Sequence, residues 1–199
     1  MGRVINMAIK AIIFDCFGVL VKAGHLLLRQ DFPNLVDLIN DLQAKSDIEL
    51  ISRQQFNDTI AKSTGLSSKE IDDRYWGTNK FNQPMVDWIH DLRQSGKYKI
   101  GMLSNISRDW MDVILPFFDR ENLFDAEILS GDVHLVKPDP AIFKLMAEKL
   151  GVNTSECVMI DDILINIEGA KRAGMHGIVY TSPDQSQSEL ISLIEQNNA

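Results

Sequence analysis

Three apolar runs in this 199-residue chain end in polar residues that a buried core does not need. They close as Ile12-Ile13-Phe14-Asp15, Met102-Leu103-Ser104-Asn105 and Met159-Ile160-Asp161-Asp162. A further run, residues 126–129, leads into a loop that ends Val136-Lys137-Pro138. If these runs are parallel strands of one sheet, Asp15, Ser104, Lys137, Asp161 and Asp162 converge at its carboxyl edge, where such sheets bind ligands. Three carboxylates gathered there repel one another, and a single lysine leaves the group net negative. Oxygen ligands of this kind suit a hard cation such as Mg2+. A metal beside Lys137 makes a pocket able to hold a phosphate. Asp15 then serves as both ligand and nucleophile, because a carboxylate can form an acyl phosphate.

The elements that must position these residues are legible as an alternation. Residues 8–14, 99–103, 126–129, 157–160 and 177–180 read as short buried strands. Helical patterns lie between them. Residues 140–150 open with Asp139 as N-cap and Pro140 at the first position, and stop before Gly151. Residues 163–173 and 84–95 are closed by Gly174 and Gly96. Such alternation predicts a parallel sheet covered on both faces. It breaks between Leu20 and Pro84, where residues 34–45, 52–63 and 67–76 are all helical in pattern. The last of these starts with the capping-box sequence Ser67-Ser68-Lys69-Glu70. This stretch reads as an all-helical insertion after the first strand, and the polar tail 196–199 is expected to fray.

Taken singly, each polar residue has a plainer reading. Asp15 is a strand-end turn residue, Lys137 a solvated charge, and Asp161-Asp162 a helix N-terminal pair. Taken together, Asp15-Cys16-Phe17-Gly18-Val19-Leu20, Ser104-Asn105, Lys137-Pro138-Asp139-Pro140 and Asp161-Asp162-Ile163-Leu164-Ile165-Asn166 resemble the four motifs of the haloacid dehalogenase-like hydrolases. They occur in the family's order over residues 8–181. The resemblance implies a doubly wound, Rossmann-like α/β core formed by residues 1–20 and 85–199, with a helical cap of type 1 over 21–84. The small cap most resembles those of sugar-phosphate phosphatases and of the amino-terminal phosphatase domain of soluble epoxide hydrolases.

Carried over by position, the resemblance makes Asp15 the nucleophile. Ser104 then binds the phosphoryl group with Asn105 beside it, and Lys137 neutralises nucleophile and phosphate. Mg2+ is held by Asp15, the main-chain carbonyl of Phe17 and Asp162, with Asp161 on a metal-bound water and Asn166 bracing the loop. Phe17 departs from the pattern, since most family phosphatases place there a second Asp that donates and accepts protons. Losing a general acid typically costs about 10²–10⁴-fold. Dehalogenases of the family also carry an aromatic residue at that position, but they lack the acidic pair kept here as Asp161-Asp162. The reading is therefore a Mg2+-dependent phosphatase acting on a small phosphorylated metabolite through an aspartyl phosphate. The alternatives are a 2-haloacid dehalogenase-type hydrolase and a catalytically weakened binder of a phosphorylated ligand or partner protein. Should a substitute proton donor exist, His25 and Asp31 are the candidates.

Composition sets the remaining bounds. With 45% hydrophobic and 24% charged residues the chain has a globular balance. A net charge of −8 disfavours nucleic acid as a partner. The longest uncharged run, residues 173–183, has 11 residues, against about 20 for a membrane-spanning helix. No leader is visible after Met1-Gly2-Arg3. Two cysteines, Cys16 and Cys157, make no disulfide framework, so a reducing cytoplasm is expected. His25, His90, His134 and His176 show no ligand spacing, and Trp76, Trp88 and Trp110 read as packing residues.

Overall fold

A computed structural model describes residues 8–21, 23–77, 81–114 and 120–198; Met1-Gly2-Arg3, Lys22 and residues 78–80 of the expected cap, and Ala199 lie outside them. Its elements begin with β1 (Ala11–Phe14), α1 (Gly24–Asp31), α2 (Val36–Asp47), α3 (Arg53–Thr64), α4 (Ser68–Trp76), α5 (Gln83–Gln94) and β2 (Lys99–Ser104). They continue with α6 (Arg108–Ile114), α7 (Arg120–Leu123), β3 (Ala126–Leu129), α8 (Ser130–Val133) and α9 (Pro140–Leu150). The chain closes with β4 (Cys157–Asp161), α10 (Leu164–Arg172), β5 (His176–Val179) and α11 (Pro183–Asn198).

The five strands form one parallel sheet in the order β3-β2-β1-β4-β5. After β1 the chain builds outward to β2 and β3, then crosses back to lay β4 on the other side of β1. That reversal is the topological switch at which open α/β sheets hold ligands. Register fixes the edge, since Phe14 lies level with both Met102 and Ile160. Asp15 N–H continues the ladder by donating to the Ile160 carbonyl at 2.9 Å. β1 starts at Ala11, not at residue 8 as expected, because its neighbours begin level with Ala11, at Lys99 and Cys157.

Strand alternation divides the core. Ile12, Phe14, Ile100, Met102, Val158 and Ile160 face one layer with α5 and α6. Ala11, Ile13, Leu103, Cys157 and Met159 face α9 and α10 on the other side. Both cysteines are buried and free. Residues 196–198 of the tail expected to fray belong to the end of α11. Leu190 is buried, Leu193 and Ile194 pack against the core, and Asn197 Nδ2 donates to the Leu193 carbonyl at 2.8 Å.

Between β1 and β2 the described elements are α1 to α5 with a short 3-10 turn at Pro33–Leu35, and isolated bridges join Val21 to Phe17 and to Phe81. Capping boxes start both α3, through Ser52 and Gln55, and α4, through Ser67 and Glu70. Trp110 of α6 joins these helices to the sheet layer. Its ring lies 4.0 Å from Tyr75 and 5.3 Å edge-on from Phe56, centroid to centroid, and its Nε1 donates to Ser46 Oγ at 2.7 Å. No helix among the described residues is long and apolar enough to cross a membrane.

Candidate active site

At the carboxyl edge, Lys137 Nζ lies 2.9 Å from Asp15 Oδ1 and 2.6 Å from Asp161 Oδ2, with all three side chains almost fully buried. Asp15 Oδ1 also accepts from Cys16 N–H at 2.7 Å. Asp161 is enclosed by protein donors. Its Oδ1 accepts from Ile163 N–H at 2.8 Å, and Asn166 Nδ2 reaches both oxygens at 3.1 Å. Asp161 therefore fixes Lys137 and the start of α10 at once.

Lys137 is held by its backbone as well. Its N–H donates to Asn105 Oδ1 at 2.8 Å, and its carbonyl accepts from Asn105 Nδ2 at 3.0 Å. Asn105 thus positions the lysine's main chain. On the other side α10 closes directly on the same loop at Gly169, where an added Cβ would stand 2.4 Å from the Pro138 carbonyl.

Asp162 lies over the loop that follows Asp15. Gly18 has φ +92°, and a Cβ there would overlap the Asp162 carboxylate at 2.2–2.4 Å, so the approach requires glycine. Oxygens of Asp15, Asp161 and Asp162 lie within 4.8 Å of one another. Burial pushes the Asp15 carboxyl well up, helped by the charges of Asp161 and Asp162 and opposed by Lys137. Burial and the Asp161 charge raise Asp162 in the same sense. Burial works against the Lys137 ammonium, but Asp15 and Asp161 outweigh it and hold its pKa above the ordinary lysine value. One buried cation thus faces three carboxylates.

Two buried oxygens here have no hydrogen-bond partner among the described residues, Ser104 Oγ and Asp162 Oδ1. Buried polar atoms are normally satisfied. The orphan carboxylate oxygen beside Asp15 fits a hard cation with oxygen ligands, and the orphan hydroxyl fits an anion on the neighbouring strand.

The structure brings together Asp15, Phe17, Ser104, Asn105, Lys137 and Asp162 around a cavity of about 390 Å³, with Asp161 behind Lys137. The opposite wall comes from the helical segment: His25 and Arg29 of α1, Asn40, Gln43 and Asp47 of α2, and Tyr75 of α4. Burial and the adjacent Arg29 lower His25 to about 4, so it is neutral at physiological pH. Asp31, the other candidate donor, is absent from this wall; it pairs with Arg74 at 2.8 Å on an exposed face. Sequence reasoning missed Arg29, Gln43, Asp47 and Tyr75, which sit on helices whose rotation no motif reveals.

The chain matches the family model described as haloacid dehalogenase-like hydrolase over residues 9–174. It is 25% identical to "Phosphatase MT3486" of Mycobacterium tuberculosis, covering 93% of each chain. It is 30% identical over 108 residues to "Drimenol cyclase drtB" of Aspergillus calidoustus, spanning 53% of this chain and only 20% of that protein. Among solved structures it superposes with TM-score 0.71 on the HAD family enzyme bt-2542 of Bacteroides thetaiotaomicron, a complex with magnesium and inorganic phosphate. The two are 26% identical, over 87% of this chain and 94% of that one. The family model covers all four motif segments and the helical stretch between the first two, and the chain belongs to the haloacid dehalogenase-like hydrolases.

Proposed function

We propose that the chain is a magnesium-dependent phosphatase that hydrolyses a small phosphorylated metabolite through an aspartyl phosphate on Asp15. The observation that carries this reading is the pair of partnerless buried oxygens, Ser104 Oγ and Asp162 Oδ1, flanking the Asp15–Lys137 ion pair. The phosphatase name of the mycobacterial relative and the phosphate and magnesium in the Bacteroides enzyme support it.

In this reading residues 21–84 act as the cap, and residues 1–20 and 85–199 as the core. Asp15, Asp162 and the Phe17 carbonyl would hold the cation, with Asp161 behind them. Bound there, magnesium supplies positive charge to the phosphoryl oxygens and lowers their repulsion for the Asp15 carboxylate. Asp15 attacks phosphorus, and its ion pair with Lys137 orients it. Ser104 Oγ and the Lys137 ammonium bind phosphoryl oxygens, and Asn105 keeps Lys137 in register. The helical wall shields the acyl phosphate from bulk water.

The test is phosphate release from a panel of aryl, acyl, sugar and alkyl phosphates, with magnesium and with chelator. Turnover should require the metal, and Asp15→Asn, which removes the nucleophile with almost no change of shape, should abolish it while the melting transition survives. Phe17 favours one second reading, halide removal. Chloride release from a 2-haloacid undiminished by chelator, with no phosphate released from the panel, would establish that reading instead.

A further inference from the structure

Phe17 leaves the phosphatase reading without a group to protonate the departing oxygen. In-line attack by Asp15 sends that oxygen away from the sheet edge, toward the helical wall. Four groups on that wall carry or exchange protons. Arg29 keeps its proton throughout the usable pH range. His25, lowered to about 4, has none to give at neutral pH. Burial first, and then the neighbouring Asp47 charge, push the Tyr75 phenol above its ordinary value, which makes it a poor donor. Asp47 remains.

We propose that Asp47, on the cap side of the cavity, is the general acid and base that takes the place of the family's second aspartate; the proposal rests on the phosphatase reading. Its placement is fixed from both ends. Gln43 Nε2 donates to Asp47 Oδ1 at 2.7 Å from one turn back on α2. Ser130 Oγ donates to the Asp47 carbonyl and itself accepts from Ile106 N–H at 2.8 Å. Ile106 follows Ser104 and Asn105 in the loop after β2, so the main chain of Asp47, which lines the cavity, is tied to the phosphate-binding edge. Burial pushes Asp47 up to about 7, with Gln43 and the Lys137 charge pulling it back. That value suits a group that must give and regain a proton near neutrality. Around α2, His25, Arg29, Tyr75 and Lys137 line the same cavity, whereas Arg53 of α3 pairs with Asp72 and Asp132 of α8 with Arg108.

The proton balance closes. As an Asp15 oxygen bonds to phosphorus, the ester P–O bond breaks and its electron pair goes to the leaving oxygen, which takes the Asp47 proton and departs as an alcohol. Asp47, now a carboxylate, takes a proton from water as the water oxygen attacks the phosphorus of the acyl phosphate. The P–O bond to Asp15 breaks, its pair returns to the Asp15 carboxylate, and phosphate leaves with Asp47 protonated again.

The experiment measures first-turnover release of the leaving group from aryl and alkyl phosphates with magnesium, and the pH profile of kcat/KM for the alkyl ester. Asp47→Asn should slow alkyl phosphates by about 10²–10⁴-fold and aryl phosphates by less than about threefold. It should also remove an alkaline fall in the wild-type profile near neutrality. Phe17→Asp added to Asp47→Asn should recover part of the alkyl rate. Gln43→Met, which deletes a bond to the ionised carboxylate, should shift the alkaline fall to higher pH; this readout stands even if Asp47→Asn does not fold. Equal losses for aryl and alkyl esters, or no loss for either, would overturn the role of Asp47 and leave the phosphatase reading intact. A wild-type protein that releases no phosphate from any ester would overturn both.

Discussion

Lys137 and Arg29 face one cavity from opposite walls, and their surroundings differ completely. Lys137 is buried between Asp15 and Asp161, with its main chain clamped by Asn105. Arg29 is partly buried, and its Nε has no hydrogen-bond partner among the described residues. In the wall built from strand ends, Lys137 and the carboxylates of Asp15 and Asp161 close on one another, and Ser104 Oγ and Asp162 Oδ1 are left without partners among the described residues. In the wall built from helix faces, Gln43 and Asp47 bond each other, and Arg29 is the open charge, its Nε unpartnered among the described residues. The first wall can hold chemistry in place, and the second can receive a substrate. A desolvated charge with no partner is unfavourable until an anion or another strong acceptor arrives.

The largest expected effect tests the closed wall. Lys137→Met removes a cation from between two buried carboxylates, and breaking a buried pair in this way costs about 3–5 kcal/mol. Turnover should fall by more than about 10²-fold, the range seen when a single charge-stabilising donor is removed. The melting temperature should drop by roughly 6–12 °C at the lower end of that cost for a chain of this size. Thermal melts and phosphate-release kinetics on the same preparation check both. If activity falls with no change in melting temperature, the network is not the support assigned to it.

Arg29→Ala tests the open wall and should look different in kind. With no internal partner to strand, its loss should leave the melting temperature within about 2 °C, as expected for a change of under roughly 0.5 kcal/mol. The effect should appear in KM, raised about tenfold (a loss near 1.4 kcal/mol) for substrates whose non-transferred part is anionic or rich in acceptors, with kcat little altered. A loss of stability comparable to that of Lys137→Met would erase the distinction between the walls.

The same contrast explains what the sequence disclosed. Asp15, Ser104 and Asp161 stand at strand ends, where an apolar run announces the strand and parallel register forces the ends together. Their meeting was readable although they come from distant parts of the chain, and so was the five-stranded sheet. Strand limits were readable to within one residue except at β1, whose start is set by the neighbouring strands. Asp47, Gln43 and Tyr75 were not readable, because they face the cavity only through the rotation and docking of α2 and α4. That docking depends on contacts such as Trp110 with Tyr75 and Ser46, in which the partners are far apart in sequence. Helix patterning disclosed the buried faces, Leu42 and Ile39 among them, but not which polar residue on the remaining arc points inward.

The smallest effect lies within the open wall, where two titrating groups oppose each other. His25 has a folded-state value of about 4 against an ordinary 6.5, so between those pH values the unfolded chain binds more protons. Its contribution to stability is complete above about 6.5 and is lost as pH falls toward 4. Asp47, raised to about 7 from an ordinary 3.8, has the opposite sign. The folded chain binds the extra proton, so Asp47 favours the fold at low pH and the advantage is lost as pH rises toward 7. Over pH 4 to 6.5 the two slopes partly cancel in the natural protein. Asp47→Asn should uncover the His25 slope, giving a variant whose stability climbs as pH rises through that window. His25→Gln should uncover the Asp47 slope, giving a variant whose stability declines over the same range. Urea unfolding of the three proteins at half-unit pH steps reads each slope against the natural chain. Parallel curves for all three would mean that both groups titrate alike in folded and unfolded chains, and that this wall is wet rather than desolvated.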